Sequence, residues 1–290
     1  MNLEDPRRQK DIVTEEPTIG TGPNFLDICK SVQNDRSCAG QANASVERPM
    51  VAEPGGFPHT QAWEQKHQKR KDWAVNSQAD VVFLGDSITS WLGTPGGRPN
   101  DEAYEADPHS KNNESQALKI LGGKPAEYYG IPGDTVQNVL YRLQNHELDG
   151  IHPKVLVLNI GTNNIHANSP NETARGVGLV MNELHKAFPD TKLLVVGLLP
   201  RESEDAESTP AQQRRYISDV NERLAKIVSA AADQSDPNRW VTYKDVGSAF
   251  TTSSGTVDTA LMDDKLHPTQ AGYERYAEHL KPTIQELLKP

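Results

Sequence analysis

Apolar residues fall along this chain in short runs separated by amphipathic stretches. Residues 79–84 (ADVVFL), 154–160 (KVLVLNI) and 192–199 (KLLVVGLL) are runs of the length and β-branched content of buried strands. Residues 126–130 and 240–243 are shorter strand candidates. Between them, 135–146 sets Val136, Val139, Leu140 and Leu143 on one helical face. Residues 171–188, 211–232 and 269–288 predict three further helices, and 61–74 another, with Trp63 and Trp73 as anchors. Strands that alternate with helices predict an α/β fold, with a parallel sheet covered on both faces.

Composition adds what lies outside that pattern. Hydrophobic residues make up 35% of the 290, and mean hydropathy is −0.67, so part of the chain is expected outside the core. Residues 1–60, rich in Pro, Gly, Asn and charge, are expected to form an extended arm before a domain over 61–290. Residues 93–124 are a polar insertion, and loops of that length inside a domain are often functional. The net charge of −10 argues against nucleic acid as a partner, which needs a basic footprint. The basic run in 61–74 is accordingly expected to be a solvated helix face.

The longest apolar run, 193–199, is far short of the ~20 residues of a membrane span. The first residues hold no apolar stretch, so no signal peptide is expected; a cytoplasmic protein and the mature form of an exported one fit equally. Cys29 and Cys38 fit either a short disulfide loop or two thiols. There is no GxxxxGK[ST] and no HExxH, so neither a P-loop, a catalytic metal nor any cofactor is expected.

In open α/β sheets ligands collect at the carboxyl ends of strands. Gly85-Asp86-Ser87 follows the first run, Gly130 to Asp134 the second and Gly161-Thr162-Asn163-Asn164 the third. Asp264-Lys265-Leu266-His267 precedes the closing helix. A hydroxyl, a glycine amide, a carboxamide and an Asp/His pair make the parts list for acyl transfer. A serine hydroxyl needs a base, and imidazole titrates near neutrality, which suits His267 to that role. Asp264 is within one turn of His267 and could orient it; Asp263 is the alternative. The Ser87 amide, the Gly133 amide and the Asn163 side chain are candidate donors to the oxyanion. Asp86 and Asp134 are expected to stabilise turns and helix N-termini.

The blocks GDSIT (85–89), Gly133, GTNN (161–164) and DKLHP (264–268) resemble, in order, the four signature blocks of the SGNH (GDSL-type) hydrolases. Residues 129–165 and GLLPR (197–201) are similar to the platelet-activating-factor acetylhydrolase α-subunit branch, whose blocks related bacterial carbohydrate acetylesterases share. The resemblance covers about 61–289. It implies a three-layer α/β/α flavodoxin-like fold with about five parallel strands. It also implies Ser87 as nucleophile, Asp264 and His267 as partners, and Ser87, Gly133 and Asn163 as oxyanion donors. Pro132 stands where that branch usually has glycine, which fixes one φ angle and leaves the Gly133 amide available.

The reading is a serine esterase that hydrolyses short-chain, chiefly acetyl, esters of a carbohydrate, whether small molecule or polysaccharide, through an acyl-enzyme intermediate, with Trp91 and Arg201 as candidate substrate contacts. A lipid-ester hydrolase and a non-catalytic binding protein on the same fold are the alternatives. The family's relatives include homodimers, and no feature of the sequence decides that state.

Overall fold

The computed structural model describes residues 61–93, 126–204, 207–233 and 235–289. The expected arm 1–60, both cysteines and nearly all of the expected insertion 93–124 lie outside these residues.

Five short strands form one sheet: β1 (Val81–Gly85), β2 (Ala126–Gly130), β3 (Val155–Asn159), β4 (Lys192–Val196) and β5 (Val241–Lys244). All neighbours are parallel, in the order β2-β1-β3-β4-β5. The helices are α1 (Gln61–Ala74), α2 (Ser87–Leu92), α3 (Val136–Gln144), α4 (Pro170–Ala187), α5 (Pro210–Ala231) and α6 (Gln270–Leu287). Two single-turn 3₁₀ segments, Thr162–His166 and Gly247–Phe250, had no periodic signal in the sequence.

Side chains alternate across a strand, and here the alternation divides the core in two. Val82, Leu84, Leu156, Leu158, Leu193 and Val195 pack under α3, α4 and α5. Val81, Phe83, Val155, Val157, Leu194 and Val196 pack under α2 and α6. Both faces are dry, which is why the strands read as continuous apolar runs. Two long helices start on capping boxes with proline next in line: Ser169 with Glu172 before α4, and Thr209 with Gln212 before α5. No helix among the described residues is long and apolar enough to cross a membrane.

The order 2-1-3-4-5 is the flavodoxin-like one, and its connections reverse direction between β1 and β3. In register, Gly85 pairs with Gly130 on one side and Asn159 on the other. The chain therefore leaves three adjacent strands at one level, toward Ser87, Gly133 and Asn163.

Candidate active site

Asp86, fully buried, caps α2: its carboxylate accepts the Ile88 N–H at 2.9 Å. Ser87 follows as the first helical residue, where backbone N–H groups have no intrahelical partner. Ser87 Oγ lies 2.9 Å from His267 Nε2, across 180 residues of sequence. His267 Nδ1 lies 2.7 Å from Asp264 Oδ2.

The Asp264 turn is built around its carboxylate. Oδ1 accepts the N–H groups of Leu266 at 3.0 Å and His267 at 2.7 Å. Lys265, between Asp264 and Leu266, has φ 59°, a left-handed conformation that costs an ordinary side chain about 1–2 kcal/mol. Burial alone would raise the Asp264 carboxyl, but hydrogen bonds from the His267 side chain and backbone outweigh it and hold it well below the usual carboxylate range. Asp263, the alternative acid, is exposed and accepts the Asp264 N–H at 3.0 Å, while the imidazole hydrogen bond goes to Asp264. Trp91 reaches over from α2, its ring centroid 4.3 Å from that of His267. It is only 7% exposed, packed against the imidazole and the core under α2 and α6, so little of its surface is left for substrate.

The opposite wall is the loop after β2. A Cβ on Gly130 would come within 2.4 Å of the Asp86 carbonyl, so glycine lets this loop lie against the first turn of α2. Gly133 has φ 84° and open space where a Cβ would stand; conformation, not crowding, calls for glycine there. The Ile131 N–H donates to the Gly85 carbonyl at 3.2 Å, tying the loop to the end of β1. Asn163 Nδ2 donates to the Asp134 carbonyl at 2.9 Å, leaving a second amide hydrogen for another acceptor. Asn164 faces inward, accepting the Val136 N–H at 3.0 Å and donating to Gln137 and Asn168.

Beneath this loop lies a set of buried charges that periodicity could not reveal. Arg142 donates to the Asp134 carboxylate at 2.7 Å, to Glu147 at 2.8–2.9 Å and to the Tyr129 carbonyl at 2.6 Å. His67 Nδ1 is 2.7 Å from Glu147, Trp63 donates to Asp134 at 2.7 Å, and Arg70 donates to the Gly130 carbonyl. α1 keeps the solvated face expected of its basic run, with Lys69 exposed and Lys66 and Lys71 partly so, but Arg70 departs from it: Trp63, His67, Arg70 and Ala74 form a buried stripe. Nor does Asp134 serve only a turn, since its carboxylate is divided between Trp63 and Arg142. Burial still lifts that carboxyl to about 6, against the pull of Arg142 and Trp63.

Arg201, expected as a substrate contact, is fully buried. It donates to the Thr162 carbonyl at 2.8 Å and to Ser203 Oγ at 2.8 Å, with His166 at 3.3 Å. Its place is behind the 3₁₀ turn that carries Asn163, because its donors point into the protein.

The second Asp86 oxygen has no hydrogen-bond partner among the described residues. Burial pushes this carboxyl up to about 7; the Ile88 N–H offsets only part of that, and Asp134 adds repulsion. A raised folded-state value means that the folded protein keeps a proton which the unfolded chain releases. Stability therefore falls as pH rises from the ordinary carboxylate range to about 7. Asp86→Asn keeps the capping oxygen without the charge. Its melting temperature relative to the parent is expected to climb from pH 5 to pH 8. An unchanged difference at the two pH values would show that Asp86 carries no such penalty.

Among the described residues no cluster of three or more His, Cys, Asp or Glu is arranged to hold a metal ion.

The model of the GDSL-like Lipase/Acylhydrolase family matches residues 83–275, from β1 into α6. The chain belongs to this family. As a GDSL acylhydrolase it is a carboxylic-ester hydrolase, and the sheet, the helix layers and the strand-end loops described above are those of its fold. The acylhydrolase is 29% identical over 243 residues to the platelet-activating factor acetylhydrolase IB subunit alpha2 of Rattus norvegicus, covering 81% of this chain and 92% of the relative. It is 31% identical over 226 residues to the alpha1 subunit of Bos taurus, covering 78% and 84%. It also superposes on Est24, a carbohydrate acetylesterase from Sinorhizobium meliloti, with TM-score 0.53 and 16% identity over 72% of this chain and all of that one.

Proposed function

We propose that this acylhydrolase removes short acyl groups, chiefly acetyl, from a hydroxylated and polar alcohol such as a carbohydrate, with Ser87 as its nucleophile. The observation that carries the reading is the unbroken Ser87–His267–Asp264 hydrogen-bond chain, 2.9 and 2.7 Å long. Ser87 Oγ attacks the ester carbonyl carbon while His267 Nε2 takes its proton. The carbonyl oxygen becomes an oxyanion, and the Ser87 N–H, the Gly133 N–H and Asn163 Nδ2 are the donors assigned to it. The C–O bond to the alcohol breaks as His267 returns the proton to the leaving oxygen. Water then gives its proton to His267 and attacks acyl-Ser87; the bond from the acyl carbon to Ser87 Oγ breaks as His267 returns that proton to Oγ, releasing the acid and the free serine.

Acetyl is supported by the curated relatives, both of which are named acetylhydrolases. The polar leaving group is supported by the surface: among the described residues Val75 is the one large hydrophobic side chain that stands exposed, which leaves little to seat an alkyl chain. A second reading, acetyl carried on a phospholipid, is favoured by the same relatives' names.

Rates across p-nitrophenyl esters from acetate to octanoate, with Ser87→Ala as blank, test the acyl half; a steep preference for acetate is expected. A rate that rises with chain length overturns it. Acetate release from acetylated xylo-oligosaccharides against a 2-acetyl ether phospholipid then decides the alcohol.

A further inference from the structure

α1 precedes the sheet and contributes no atom to the Ser87–His267–Asp264 chain, yet it grips the loop that carries Gly133. Trp63 is 3% exposed and its ring is fixed on two sides, stacked on His67 at 5.5 Å and edge-on to Tyr141 at 5.8 Å. Packing therefore aims its indole N–H, 2.7 Å from Asp134 Oδ1. Arg142 holds the other oxygen, Oδ2, at 2.7 Å. The carboxylate is fully buried, so it depends on these donors in place of water.

Asp134 has a second role through its backbone. It follows Gly133 directly, and its carbonyl accepts from Asn163 Nδ2 at 2.9 Å. One residue thus joins the two assigned oxyanion donors that lie outside the Ser87 helix. A shift of the backbone at Asp134 would carry its neighbour Gly133 and release the Asn163 amide together. Arg70, about two turns further along α1, holds the other end of the loop at the Gly130 carbonyl.

We propose that Trp63 is a positioning residue of the reaction, whose indole N–H, acting through Asp134, sets Gly133 and Asn163 on the developing oxyanion. The inference rests on the assignment of Gly133 and Asn163 as oxyanion donors made above. Positioning of this kind acts on the transition state more than on substrate binding, so it alters kcat and spares KM.

The test uses the full chain and p-nitrophenyl acetate. Trp63→Phe keeps an aromatic ring and removes the donor. Its kcat is expected to fall about tenfold or more, since misplacement near 1 Å can cost about 100-fold, with KM within about twofold. The double variant Trp63→Phe/Asn163→Ala is expected to lose little beyond Asn163→Ala, because both changes disable one unit. Unchanged kcat in Trp63→Phe, or losses that multiply in the double variant, would overturn the proposal. Should Trp63→Phe fail to fold, 3-benzothienylalanine at position 63 keeps the indole's shape and replaces only the N–H; the same two outcomes apply. Ser87→Ala and Asn163→Ala in the same panel separate the two levels. If both are inactive while Trp63→Phe is normal, the Trp63 inference alone falls. If Ser87→Ala or Asn163→Ala retains turnover, the reading beneath it falls as well.

Discussion

Ser87→Ala is expected to lower kcat by about 10⁴-fold or more, with KM little changed. The hydroxyl is the one group 2.9 Å from His267 Nε2, and alanine leaves the imidazole with nothing to activate. His267→Ala should cost about as much, and the double variant scarcely more, because nucleophile and base act as one unit. Initial rates with p-nitrophenyl acetate, normalised by folded protein, would check this. Residual turnover above about a hundredth of the parent rate would mean that another residue attacks the ester.

The second large effect separates two neighbouring acids. Asp264→Asn is expected to lower kcat about 10³–10⁴-fold, whereas Asp263→Asn stays within about tenfold. Asp264 is satisfied twice, Oδ1 by the Leu266 and His267 N–H groups and Oδ2 by the imidazole. An asparagine that keeps its oxygen on the backbone pair turns its NH₂ toward His267 Nδ1. The ring then carries its proton on Nε2 and cannot accept one from Ser87. Because its carboxyl is held well below the usual carboxylate range, Asp264 stays ionised wherever the protein is folded and active. The stability it contributes is present above the unfolded value and is lost as pH falls through the folded one, so loss of rate near neutrality does not come from this group. Equal losses in the two variants would reassign the acid.

The sheet was legible because strands buried on both faces announce themselves as apolar runs, and the residues just beyond each run are where a parallel sheet gathers its ligands. Ser87 could be singled out from such a position, Asp264 and His267 from their place before the closing helix, and the three meet. Less legible were the charges that hold the site from behind. The buried stripe of α1 is Trp63, His67, Arg70 and Ala74, which has the right spacing but the wrong chemistry for a hydropathy pattern. Arg142 sits three residues after Val139 on the inner side of α3, and it is tolerated there because Asp134 and Glu147 meet it. Arg201 looked available for substrate for the same reason. A charge is legible as buried only once its partner is known, and the partners of His67 and Arg70 lie 60 to 80 residues away.

The proposed nucleophile and base are far apart along the chain. Ser87 follows the first strand, while Asp264 and His267 come just before α6, which packs on the same face as α2. During synthesis on the ribosome, the serine and the loop of Gly133 emerge long before any base exists to activate them. A nascent chain halted ahead of residue 264 would hold all five strands and a hydroxyl without its base. Ester cleavage would therefore report not merely that folding has begun but that the segment holding Asp264 and His267 has met Ser87.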